Sequence, residues 1–102
     1  MTSKTEKLIS LLEDAIVLLQ SHGVNYWADW LSRGVECLKS DDAYGIEHLL
    51  NAYGGMGSFT DVFICPENGD NIQKNDVEKV NRQLNNLRED IYLLAGQIKD
   101  KG

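Results

Sequence analysis

Between Val77 and Ile98 the apolar residues fall at alternating intervals of three and four: Val77, Val80, Leu84, Leu87, Ile91, Leu94 and Ile98. Only an α-helix brings such positions onto one stripe, and this stripe holds for three heptads. With Asn75 or Asp76 as its cap, the pattern predicts a helix from Asp76 to about Lys99, roughly 36 Å long at 1.5 Å per residue. A rod of that length equals or exceeds the diameter of a small domain. It therefore needs either other helices of the same chain or a second copy to cover the stripe. The chain has 102 residues, too few for a second core, so one domain is expected over residues 1–102.

The remaining segments supply helices for that role. Leu8, Leu11, Leu12, Ala15, Ile16 and Leu19 share a 3.6-period face. A helix is expected from about Ser3 or Thr5 to Ser21, with Ser3 and Glu6 at capping-box spacing and Gly23 as a left-handed C-terminal cap. His22, in its last turn, suits the negative end of the helix dipole. A second helix is expected from near Asn25 to Leu38 or Lys39. Trp27, Trp30, Leu31, Gly34 and Leu38 lie on one side of it, and Gly34 permits a close neighbour. Ser40-Asp41-Asp42 breaks the chain, and Ser40 or Asp41 is expected to cap a short third helix. Ile46, Leu49, Leu50 and Tyr53 form its stripe, and it ends at Gly54-Gly55. Phe59 to Cys65 is β-branched and aromatic, so it reads as a short extended segment ended by Pro66, with a turn over Glu67–Asn71. A single strand has no sheet to join and must lie as an arm over the helices, pair with a short partner, or be helical despite its composition. The fold expected is all-α: four bundled helices with a Gly-rich extended connector before a long C-terminal helix.

Charge narrows the function. Ten Lys and Arg stand against sixteen Asp and Glu, a net charge of −6. Residues 1–53 carry −4, residues 54–75 carry −2 and residues 76–102 are neutral. No basic patch exists to neutralise phosphates, so direct nucleic-acid binding is not expected, and an anionic membrane surface is disfavoured for the same reason. A basic protein partner is favoured, since complementary potentials direct encounter. The longest apolar runs, such as Ala15–Leu19, are far short of a membrane span of about 20 residues. Met1 to Lys7 leads into an amphipathic stretch and not the apolar block of a signal peptide, so a cytoplasmic location is expected. Cys37 and Cys65 read as buried thiols of a reducing compartment.

Chemistry is thinly signalled. The pairs Glu13-Asp14, Asp41-Asp42 and Glu89-Asp90 point about 100° apart on a helix and do not converge. A zinc-protease helix would need a second His four residues after His48, where Ala52 stands. His22, His48, Cys37 and Cys65 are not spaced as zinc ligands, so no metal and no cofactor is expected. Gly54-Gly55-Met56-Gly57 lacks the Lys-Ser or Lys-Thr of a phosphate loop, and Gly57-Ser58-Phe59 is no nucleophile elbow. Asp61, between Phe59 and Phe63, needs a partner if its run is buried: either the amides of the glycine turn or an external cation.

The run Tyr53-Gly54-Gly55-Met56-Gly57-Ser58-Phe59-Thr60-Asp61, with Trp27-Ala28-Asp29-Trp30-Leu31 upstream, resembles a family of small uncharacterised bacterial helical domains. In that family a Tyr-Gly-Gly-Met-Gly-Ser-Phe-x-Asp motif follows two or three helices, and the likeness in layout runs from about Leu8 to Cys65. In size, charge and helical build the chain also looks like the immunity proteins that accompany contact-dependent and other polymorphic bacterial toxins. That likeness implies a non-enzymatic protein that occludes the cationic substrate groove of a cognate toxin, a basic nuclease, with acidic side chains. The candidate contacts are Glu36, Asp41, Asp42, Asp61, Glu67 and Asp70, with Trp30 or Tyr44 as an aromatic anchor. Two rivals stand beside it: a homodimeric structural or regulatory adaptor joined through the heptad helix, and a small enzyme with its site at the Gly-rich connector.

Overall fold

A computed structural model describes residues 3–54 and 57–101. The fold is all-α. Four helices, α1 (Lys4–Ser21), α2 (Asn25–Lys39), α3 (Tyr44–Leu50) and α4 (Val77–Lys101), are joined in that order, with three single 3₁₀ turns between α3 and α4. Gly55 and Met56, part of the glycine run and of the expected end of the third helix, lie outside the described residues.

Helix α1 starts with Ser3 at its cap, as expected. The Ser3 hydroxyl accepts the Glu6 amide at 3.0 Å and lies 3.2 Å from the Glu6 carboxylate. It buries Leu8, Leu12, Ala15 and Leu19. Gly23 then turns the chain at φ +78°, and the Val24 amide reaches back to the Leu19 carbonyl. Helix α2 returns alongside and buries Ala28, Leu31, Val35 and Leu38. Trp27 and Trp30 are half-buried against this core.

Helices α2 and α3 meet at their glycines. A Cβ on Gly34 would stand 2.5 Å from Leu49 Cδ2, and one on Gly45 would stand 2.9 Å from Cys37 Cβ and 3.2 Å from the Gly34 carbonyl. The two backbones touch because neither position carries a side chain. The start of α3 differs from expectation. Asp41 adopts φ +56°, which ends α2, and the Asp42 carboxylate accepts the Tyr44 amide at 3.0 Å. The helix therefore opens at Tyr44, with Ala43 at its cap, and neither Ser40 nor Asp41 caps it. It closes at Leu50, short of Gly54, in a turn that buries Ala52.

The connector is the larger correction. Phe59–Asp61 is a 3₁₀ turn, capped by the Ser58 hydroxyl, and not part of a strand. From Val62 to Cys65 the backbone is extended without a strand partner, and Pro66 opens a second 3₁₀ turn. Phe59 and Ile64 nevertheless reach the core, both fully buried. Side chains of α4 take the place of a sheet. The Asn81 carboxamide accepts the Ile64 amide and donates to the Ile64 carbonyl, both at 2.8 Å, as a neighbouring strand would. Two turns on, Arg88 donates to the carbonyls of Phe59, Thr60 and Val62 at 2.8, 3.3 and 2.9 Å.

Helix α4 follows directly on the 3₁₀ turn Lys74–Asp76 and spans 25 residues of a molecule 42 Å in its longest dimension. Its stripe faces inward: Val80, Leu84, Ile91 and Leu94 are buried, and Val77, Leu87 and Ile98 are half-buried. It packs along α1 and α3, so the heptad is consumed within one chain. Among the described residues no helix is long and apolar enough to cross a membrane.

Candidate functional site

The corner between α2 and α3 gathers several of the expected contacts. Because α2 stops at the left-handed Asp41, the acids Asp41 and Asp42 stand at its carboxyl end, beside the first turn of α3. A groove of about 580 Å³ opens there, with Leu38 and Ile46 in its floor and Asp41, Asp42, Tyr44 and Glu47 around it. Ile98 and Lys99 of α4 line it from the other side. Asp41, Asp42, Tyr44 and Glu47 are all exposed. Three carboxylates face one ammonium, so the groove is acidic around an apolar base.

A row of rings leads away from Tyr44 through the α2–α3 contact, exposed at Tyr44 and Tyr26, half-buried at Trp30 and buried at His48. Tyr44 lies 6.2 Å from His48, His48 stacks on Trp30 at 4.2 Å and 15°, and Trp30 lies 6.4 Å from Tyr26 at 30°. The centre of the row is locked. The Trp30 indole donates to the His48 carbonyl at 3.0 Å, and His48 Nε2 donates to the Trp30 carbonyl at 2.8 Å. A carbonyl can only accept, so Nε2 carries the proton. The ends of the row are open: Tyr26 is 66 % exposed and Tyr44 58 %.

The other expected contacts are placed elsewhere. Asp61 accepts the Gly57 amide at 2.6 Å, so it closes the glycine turn, as one reading of its sequence position required. Asp70 accepts the Cys65 amide at 3.0 Å and stabilises the turn that contains Glu67. That loop is tied to the α1–α2 turn by reciprocal bonds: His22 Nδ1 donates to the Asn71 carbonyl at 2.8 Å, and the Asn71 amide donates to the His22 carbonyl at 3.0 Å. Glu67 and Asp70 thus stand near the amino end of α2, and Asp41 and Asp42 at its carboxyl end. The helix between them is about 22 Å long at 1.5 Å per residue. Glu36 lies in a separate shallow groove with Glu13, Ile16 and Val17 of α1.

The Tyr53–Asp61 segment has its own centre. The Tyr53 hydroxyl donates to the Arg88 carbonyl at 2.8 Å, and its ring meets Phe59 at 5.8 Å and Tyr92 at 4.9 Å. Burial pushes the Tyr53 hydroxyl well above the ordinary phenol range, against a smaller opposite pull from Arg88. Burial likewise lowers the Arg88 guanidinium, opposed by Tyr53 and Asp61. Arg88 also bonds Asn85 and lies 5.7 Å over the Phe59 ring. Its donors are directed at main-chain carbonyls, which makes it a structural clasp. Sequence reading had missed Asn81 and Arg88. Their signal was a second stripe, Asn81, Asn85, Arg88 and Tyr92, spaced four, three and four beside the apolar one.

Among the described residues no three His, Cys, Asp or Glu side chains come together as metal ligands. Cys37 and Cys65 are both free thiols, half-buried and buried. The model of one protein family, a domain of unknown function designated DUF6966, matches residues 20–73, just over half of the chain. That stretch includes α2, α3, the groove acids and the whole row of rings. No curated protein and no solved structure matches the chain.

Proposed function

We propose that this chain, which belongs to the DUF6966 family, is a non-enzymatic binding protein whose partner is a basic protein. The observation that carries the reading is the groove at the α2–α3 corner. Asp41, Asp42 and Glu47 surround an apolar floor beside an exposed tyrosine. Apolar floor, acidic rim and aromatic anchor are the parts of a protein-binding hot spot, in which tyrosine contributes contact area and charge sets the partner. Asp61 and Asp70 accept main-chain amides of their own loops, as Asp42 does at the start of α3. The biological form of the reading is an immunity protein. The partner is then a cognate bacterial toxin, a basic nuclease, and the acidic face covers its substrate groove.

The test begins with tagged protein in its native host. Recovered partners are identified by mass spectrometry and titrated in purified form. The expected partner is basic, toxic when expressed alone, and harmless when co-expressed with this chain. Charge reversal at Asp41 and Asp42 is expected to loosen it at least tenfold, about 1.4 kcal/mol, and to flatten its salt dependence. Unchanged affinity after both reversals would remove the groove from the interface. Recovery of no protein except further copies of the chain would favour the adaptor reading.

A further inference from the structure

The groove explains the acids but not the rings. Tyr26 and Tyr44 each leave more than half of their surface in water, although both meet neighbouring rings. Trp30, half-buried, and His48, buried, lie between them, and their mutual main-chain bonds fix the centre of the row before any partner arrives. A pre-ordered aromatic face loses little entropy on binding. Carboxylates flank it. Asp29 is one turn from Tyr26 and exposed, Glu47 precedes His48, and Asp41 and Asp42 stand at the Tyr44 end. Two cations lie near it, Arg33 one turn beyond Trp30 and Lys99 across the groove. Aromatic faces are negative at their centres and attract cations, and a neighbouring carboxylate completes the match.

We infer that the row Tyr26–Trp30–His48–Tyr44 is an arginine-reading surface, on which the basic partner lays guanidinium groups against Tyr26 and Tyr44 with Asp29 and the groove acids as their counter-ions. This inference rests on the basic-partner reading and names its chemistry. Arginine is required over lysine because a planar guanidinium stacks on a ring and bonds a carboxylate at once, whereas an ammonium is a compact, strongly hydrated charge. The surface spans both ends of α2, so the partner segment is extended or helical and carries arginines at more than one position.

The experiment uses the full ¹⁵N-labelled chain and an acetylated, amidated Arg-Gly repeat peptide, with a Lys-Gly twin of equal length and charge. Saturable shifts are expected at the Trp30 indole and at the amides of Tyr26, Asp29 and Tyr44. The arginine peptide should bind several-fold tighter than its twin. Tyr26→Leu and Tyr44→Leu, both at exposed positions, should each weaken it roughly three- to tenfold. Equal affinity for the two peptides would overturn the inference, as would the absence of saturable shifts. Shifts confined to residues 41–47 would overturn it too, while leaving the basic-partner reading intact. If the recovered partner binds Tyr26→Leu and wild type equally yet loses affinity to Asp41→Lys, the row fails and the groove stands.

Discussion

Asn81 shows how one residue can replace a secondary-structure element. It is 4 % exposed, and its carboxamide satisfies both main-chain groups of Ile64 while also donating to the Val77 carbonyl at 2.7 Å. Removing it strands two buried polar groups, each of which costs about 1–3 kcal/mol. Asn81→Ala is therefore expected to lower stability by about 2–4 kcal/mol in urea denaturation. Tyr53 gives the second residue-scale prediction. Its hydroxyl is held in the protonated form by burial. The unfolded chain releases that proton near the ordinary value of about 10, and the folded chain only at higher pH. The folded state thus holds the proton more tightly. The stability contributed is fully present below about pH 10 and is lost as the pH climbs beyond it. Tyr53→Phe should be less stable at neutral pH, having lost its bond to Arg88, and its stability should decline less steeply in alkali than that of wild type. Equal alkaline slopes would count against a buried hydroxyl.

At the scale of elements, the contact between α2 and α3 is the most exacting. Ala at position 45 gains helix propensity of about 1 kcal/mol. Its methyl group, however, collides with the Cys37 stem and the Gly34 carbonyl, neither of which can swing away. Gly45→Ala is expected to be destabilising by about 1–3 kcal/mol in spite of the gain, as a thermal melt would show. The same elements separate what could be read in the sequence from what could not. The four helices were legible because each carries its own period and its own stops: the heptad of α4, the Ser3–Glu6 box, Gly23. The opening of α3 was not, since Asp41 entered a left-handed conformation that a β-carbon normally resists, and Asp42 took over the cap. The strand-like composition of residues 59–65 suggested a short extended segment and left its burial open; Phe59 and Ile64 are buried, whereas Phe63 is exposed. Its shape was not readable, because the side chains that hold it belong to a helix some twenty residues on. Asp41, Asp42 and Tyr44 were singled out from charge and residue type, and the fold gathers them at one groove. That Asp61 closes the glycine turn was one of the two readings of its position, whereas the bond of Asp70 to the Cys65 amide depends on local geometry no spacing reports.

For the molecule as a whole, the inward heptad means that α4 is covered by α1 and α3 of the same chain. Leu84→Asp should therefore cost more than about 3 kcal/mol through a buried, unpaired carboxylate. Leu93→Asp, on the outer face and 54 % exposed, should change stability by no more than about 0.5 kcal/mol and sediment as wild type does. The excess negative charge lies outside α4, on the helices and loops that present the groove and the rings. An interface there should weaken as salt rises, because charges more than about 8 Å apart are largely screened at physiological ionic strength.

The grip of Asn81 and Arg88 on the connector has one more consequence. Apart from the contact of Arg88 with the Phe59 ring, both side chains hold peptide groups, so the anchorage is indifferent to which residue occupies the exposed position Phe63, whereas Thr60 bonds Ser58 through its hydroxyl. The residue at position 63 can be exchanged without disturbing these main-chain bonds. The molecule keeps there a small exhibition space whose contents are exchangeable while its mounting stays the same.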